Sequence, residues 1–126
     1  MKKPNNTIEV LIATRIMGWN WSDNGLPDNR NFQHWQDEDG KDMGWYFSPQ
    51  ESMESAWKVV SKVSSRTYYY AFAWAQQGQL FANFSRDKMK GAFASLAETG
   101  GDKEKAQCLA ICRAAWKSTY NQKVPF

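Results

Sequence analysis

The sequence predicts a mixed α/β fold with about three helices around a mainly antiparallel sheet. Three observations carry this. Apolar residues recur at helical spacing near both ends and in the middle of the chain, the aromatic run at 67–75 alternates with the period of two that marks a strand, and turn-forming residues separate these segments. At 126 residues the chain has the size of one ordinary domain and is expected to be a single domain over 1–126. A hydrophobic fraction of 42% with seven Trp, seven Phe and five Tyr excludes a disordered chain.

The first helix is expected from Thr7, a capping residue, to Gly18, a C-terminal stop, with Ile8, Leu11, Ile12 and Ile16 on one stripe. Arg15 falls between those apolar positions, so its stem should lie along the core edge with the guanidinium reaching out. Residues 19–47 carry no helical period. There, His34–Gln36 and Met43–Tyr46 flank the turn residues Asp37–Gly40 and read as a hairpin, leaving Trp19–Asn31 as a long connection.

Ser48-Pro49-Gln50-Glu51 has the pattern of a capping box with proline at the first helical position, predicting a helix to about Ser64. Met53, Ala56, Trp57, Val60 and Val63 form its expected apolar stripe, with Glu54 and Lys58 paired toward solvent. Tyr68, Tyr70, Phe72 and Trp74 then alternate with Tyr69, Ala71 and Ala73 in a strand. Gln76-Gln77-Gly78 turns it into a second strand over Gln79–Ser85, and the small-residue face is expected to lie close to helices. Residues 86–99 read as strand. Gly100-Gly101 breaks it, Asp102 caps, and a last helix runs to about Tyr120. Its apolar sector holds Cys108, Leu109, Ile111, Cys112, Ala115, Trp116 and Tyr120, Lys103, Gln107, Arg113 and Lys117 are expected to face water, and the tail through Phe126 is expected to be loose.

The net charge of +3 is divided unevenly. Residues 1–57 hold five Lys/Arg against nine Asp/Glu (−4), and residues 58–126 hold eleven against four (+7). A basic second half allows an anionic ligand or acidic partner as well as ordinary solvated faces. Cys108 and Cys112, four apart on a helix, are poorly placed for a disulfide and suit a reducing cytoplasm as small buried hydrophobes. No apolar run approaches the roughly 20 residues of a bilayer span, so no membrane partner is expected.

Recognisable catalytic sets are missing. His34, the single histidine, has no second histidine for zinc and no adjacent nucleophile motif. Asp37, Glu38, Asp39 and Asp42 could gather round a divalent ion but lack the order of a calcium loop. Neither Gly-rich phosphate fingerprint occurs. No catalytic residue, metal or cofactor is therefore expected. What remains is a set of rings interleaved with amides and one cation: Trp19, Asn20, Trp21, Asn24, Arg30, Asn31, His34 and Trp35, suited to stacking on a ligand or filling a partner's pocket. The alternative surface is basic: Lys58, Lys62, Arg66, Arg86, Lys88 and Lys90, as a nucleic-acid-binding face.

Met17-Gly18-Trp19 closing the first helix, Phe47-Ser48-Pro49 opening the second and Ala110-Ile111-Cys112-Arg113-Ala114-Ala115 in the last, with the aromatic strand between, resemble the phage ABA sandwich domain family across most of the chain. The resemblance implies a three-layer α/β/α sandwich and a phage or prophage origin, hence the cytoplasm of a bacterial host. It implies no reaction. Trp116 departs from the family's small aliphatic residue at that position, and the Gly100–Lys105 insertion is long. The function expected on this analogy is a non-enzymatic phage accessory protein that binds a host protein or a small signalling nucleotide and interferes with host physiology or defence. The alternatives are a nucleic-acid-binding module and a small enzyme with an unrecognised site.

Overall fold

A computed structural model describes residues 7–23, 33–64, 71–75 (backbone), 78–84, 91–120 and 123–126. The chain forms two compact units, Met1–Phe47 and Ser48–Phe126, in a mixed α/β fold with two small antiparallel sheets.

In the first unit, helix α1 (Thr7–Leu11) passes directly into a π-helical turn over Ile12–Ile16. Thr14 Oγ1 donates to Val10 O at 2.7 Å, competing for the carbonyl that an α-helix would give to the Thr14 amide, which loosens the winding. The wider turn closes with Met17 N donating to Ile12 O at 3.0 Å, and Ile12, Ala13, Ile16 and Met17 are buried. Arg15 is exposed, as its place between the apolar positions predicts. Gly18 ends the segment at φ +76°, a left-handed conformation that glycine adopts without cost, and the Glu38 side chain lies over its Cα.

Strands β1 (Asn20–Ser22) and β2 (His34–Gln36) then pair antiparallel, Trp21 opposite Trp35. The expected hairpin is corrected here. Its turn forms, with Asp37 Oδ1 accepting from the Asp39 and Lys41 amides at 2.9 and 2.8 Å and Asp37 N donating to Lys41 O at 3.0 Å, and beyond it the far arm pairs through Met43 N to Trp35 O and Trp35 N to Gly44 O, both 2.8 Å, and a Gln36–Asp42 bridge. Asp42 Oδ1 takes the Gly44 amide at 2.8 Å and turns the chain away, so Met43–Tyr46 forms no strand. The other partner of β2 lies inside what the sequence reads as a connection.

The second unit contains helix α2 (Met53–Ser64), the sheet β3 (Ala71–Ala75), β4 (Gln79–Asn83), β5 (Ala92–Ser95) in that spatial order, a 3₁₀ turn over Leu96–Thr99, and helix α3 (Lys103–Tyr120). Both hairpin strands appear where period two places them. Expectations for 67–70, 76–77 and 85–90 lie outside the described residues. Helix α3 packs on β4, β5 and α2 and buries nearly every side of its middle, from Ala106 to Trp116. It lies against the sheet face of Leu80, Ala82, Ala92 and Ala94, all buried, and these small residues of β4 and β5 admit the helix; on β3 the expectation is corrected, because the register aligns Ala71 and Ala73 with Asn83 and Phe81 on the other face. Phe81 and Phe93 stand on the opposite face, ring centroids 4.8 Å apart. Gly91 is required on steric grounds, because a Cβ there would collide with the Phe81 ring.

Several expectations are overturned. Residues 92–95 are strand but 96–99 are not: Ser95 and Glu98 make a reciprocal capping box around a 3₁₀ turn that Gly100 closes at φ +64°. The cap of α2 is displaced from Ser48. Ser48 works through its backbone, its carbonyl accepting from Ser52 N at 2.8 Å and its N–H donating to Ser55 Oγ at 3.1 Å, while the helix begins after Ser52. The buried stripe of α2 is Ser55, Ala56, Val59, Val60 and Val63, rotated from the expected one, and Trp57 is 44% exposed. Arg113 and Lys117 are half-buried and bonded rather than turned to water. The tail is held too: Phe126 O accepts from Arg113 Nε at 3.3 Å, and its ring meets Trp116 edge-on at 6.0 Å. Trp116 also packs on Tyr120, ring centroids 4.7 Å apart and tilted by 39°, which gives the indole a packing role. The Asp102 cap stands as expected, with Oδ1 accepting from Lys105 N at 3.0 Å.

Candidate functional site

The aromatic set singled out in the sequence is distributed by depth. Trp19 is buried against Phe47, centroids 4.8 Å apart, because Trp19 N reaches back to Ala13 O at 2.9 Å and folds the chain inward. Trp35 is wholly buried at the centre of its ribbon, and His34 beside it is buried with Nε2 3.4 Å from Gln36 Nε2. Trp21 is half-buried, meets Trp35 edge-on, and donates from Nε1 to Asp23 Oδ1 at 3.0 Å. Asn20 is exposed. Asn24, Arg30 and Asn31 lie outside the described residues. Of that set, the structure therefore brings Asn20 and Trp21 to the surface on one strand and places Trp19, His34 and Trp35 beneath.

Among the described residues of this unit, two that the sequence places in a strand add to its exposed aromatic surface. Trp45 and Tyr46 are 51% and 52% exposed, with ring centroids 5.7 Å apart and planes at 70°. The signal that finds them is Asp42-Met43-Gly44, whose turn ends pairing and releases the next two residues outward. Two adjacent rings held at such exposure withhold a large apolar area from the core. Their setting is acidic: residues 33–47 carry Asp37, Glu38, Asp39 and Asp42 against one Lys41, a net −3. Asp37 and Asp42 are committed to backbone amides, which makes them turn formers, and among the described residues no cluster of side chains is arranged to hold a metal ion.

On the basic surface, Lys58 is exposed and Lys62 half-buried on α2, while Arg66, Arg86, Lys88 and Lys90 lie outside the described residues. The two thiols are unsuited to attack. Burial, with Glu104 and Asp102 adding to it, pushes the Cys108 thiol up to about 12, and burial pushes Cys112 higher still. Cys108 Sγ lies 3.3 Å from Met53 Sδ, tying α3 to α2. No described helix is long and apolar enough to cross a membrane.

Comparison with known proteins returns one family: the sequence model of the phage ABA sandwich domain matches residues 10–116. No curated protein and no solved structure matches the chain.

Proposed function

The chain belongs to the phage ABA sandwich domain family, and from that premise we propose that it is a non-enzymatic phage accessory protein that acts by binding a host protein. The observation that carries this reading is the exposed Trp45–Tyr46 pair on an acidic ribbon. Paired rings supply the rigid apolar contact on which protein interfaces depend, and the net −3 around them attracts a basic segment. The same charge repels the phosphates of a signalling nucleotide, which favours a protein partner over that ligand. Asn20 and Trp21 add a directional amide and a second partly open indole. Binding of this kind would let the protein interfere with host physiology or defence from the host cytoplasm. The three-layer α/β/α arrangement and the whole chain acting as one domain are part of the proposal. They are supported by α3 lying along one face of the sheet at β4 and β5 and by a family match that runs through both units.

The test is capture from host extract with the native chain and with Trp45→Ser/Tyr46→Ser. Loss of the partner contact should weaken binding by about thirtyfold or more, equivalent to about 2 kcal/mol at a central contact, with an unchanged melting temperature. Titration of a nucleotide panel by calorimetry belongs to the same experiment. Undiminished capture by the double variant, or a nucleotide that binds the native chain in place of any protein, overturns the reading.

A further inference from the structure

We propose that Arg113, Lys117 and Glu98 form a clamp that closes the outer edge of β5 against pairing with a second copy of the chain. An edge strand turns the backbone groups of every second residue away from its sheet, and those groups are a template for another strand. On this edge the outward set is Gly91, Phe93 and Ser95, and each is engaged from the helix side. Lys117 Nζ donates to Gly91 O at 2.8 Å, Arg113 Nη1 donates to Phe93 O at 3.0 Å, and Ser95 N donates to Glu98 Oε2 at 2.8 Å. The geometry follows from two repeats. Four residues along a helix advance about 6 Å and two along a strand about 6.7 Å, so cations at positions 113 and 117 of α3 meet alternate carbonyls of the strand.

Glu98 joins the parts. Its carboxylate takes Arg113 through both oxygens, Oε1 from Nη2 at 2.6 Å and Oε2 from Nη1 at 3.0 Å, while the same Oε2 accepts the Ser95 amide and hydroxyl. One carboxylate thus blocks an edge donor and orients the cation that blocks an edge acceptor. The strand so covered is a short uncharged segment, Ala92-Phe93-Ala94-Ser95, with Phe93 49% exposed. A second copy is the occupant it fits. Antiparallel pairing centred on Phe93 sets two Phe93 rings side by side on the face where Phe81 and Phe93 already touch, extending one aromatic row across the interface.

The experiment compares the native chain with Arg113→Met/Lys117→Met, which keeps both apolar stems and removes the donors, by light scattering across a concentration series. Each is measured with and without Phe93→Pro. The proline removes an outward N–H and leaves the β4 ladder intact, since Phe93 turns its backbone groups to the outer side. The expected result is a native mass that the proline does not change, and a double variant whose mass rises about twofold and returns to the native value with the proline. A folded double variant that keeps the native mass overturns the proposal, as does association that survives Phe93→Pro. Amide exchange of the native chain and of Glu98→Ala, which removes the acceptor, tests it without the double variant. The Ser95 amide should exchange at least tenfold faster in Glu98→Ala, and equal rates overturn the clamp.

Discussion

Trp21 stands edge-on to Trp35, ring centroids 5.2 Å apart and planes at 79°, directly across the β1–β2 pair that aligns the two residues. The contact sorts two tryptophans only fourteen positions apart into different roles, since Trp35 is wholly buried and Trp21 half-covered. Trp35→Ala is expected to cost about 3–5 kcal/mol by leaving a cavity. Trp21→Ala gives up the edge contact and part of its area, about 1–2 kcal/mol. Urea denaturation of both variants checks this, and equal midpoints would contradict the difference in depth.

Helix α2 supplies a second contrast. Trp57 is 44% exposed, so Trp57→Ala should change stability by less than about 1 kcal/mol. Val63 is fully buried, and Val63→Ala should cost about 2 kcal/mol despite removing a far smaller group. A larger loss for Trp57→Ala than for Val63→Ala would return the indole to the core.

The Arg113 guanidinium, with the Ser95 amide next, lowers the Glu98 carboxyl from its ordinary 4.5 to about 2. As pH falls, the unfolded chain takes up this proton before the folded one does. The stabilisation is therefore complete above about pH 4.5 and is lost progressively toward pH 2. Because the carboxylate is 40% exposed, solvent screening keeps the effect modest. Thermal melts from pH 6 to pH 2 should show a shallower acid loss in Glu98→Gln than in the native chain, and parallel curves would contradict the assignment.

Burial that pushes the Cys108 thiol up to about 12 predicts that neither cysteine of the folded chain reacts with an aromatic disulfide reagent at pH 8, whereas both react in denaturant. Cys108→Ala/Cys112→Ala should leave binding intact and lower the denaturation midpoint, since the thiols fill space beneath α3. Rapid labelling of the native chain would show that a thiol is accessible.

Features governed by neighbours in sequence were legible in advance. Asp102 after Gly100-Gly101 marks the start of α3, period two marks β3 and β4, and Gly18 marks the end of the first helical segment, because each follows from backbone preferences acting over four or five residues. The family likewise follows from ordered local patterns along residues 10–116. Tertiary structure decided what no local preference contains. The phase of α2, which turned Trp57 outward, depends on which neighbour the helix finds, since its apolar residues allow more than one stripe. The β1–β2 pairing brings together two indoles fourteen positions apart in sequence, a contact that no preference acting over four or five residues contains. Arg113 and Lys117 have the spacing of a solvated helix face until the β5 edge, twenty and twenty-six residues earlier, presents the Phe93 and Gly91 carbonyls to them. The exposed Trp45–Tyr46 pair arises the same way: rings that composition assigns to a core stay in water because the Asp42–Gly44 turn ends the ribbon before they can pair.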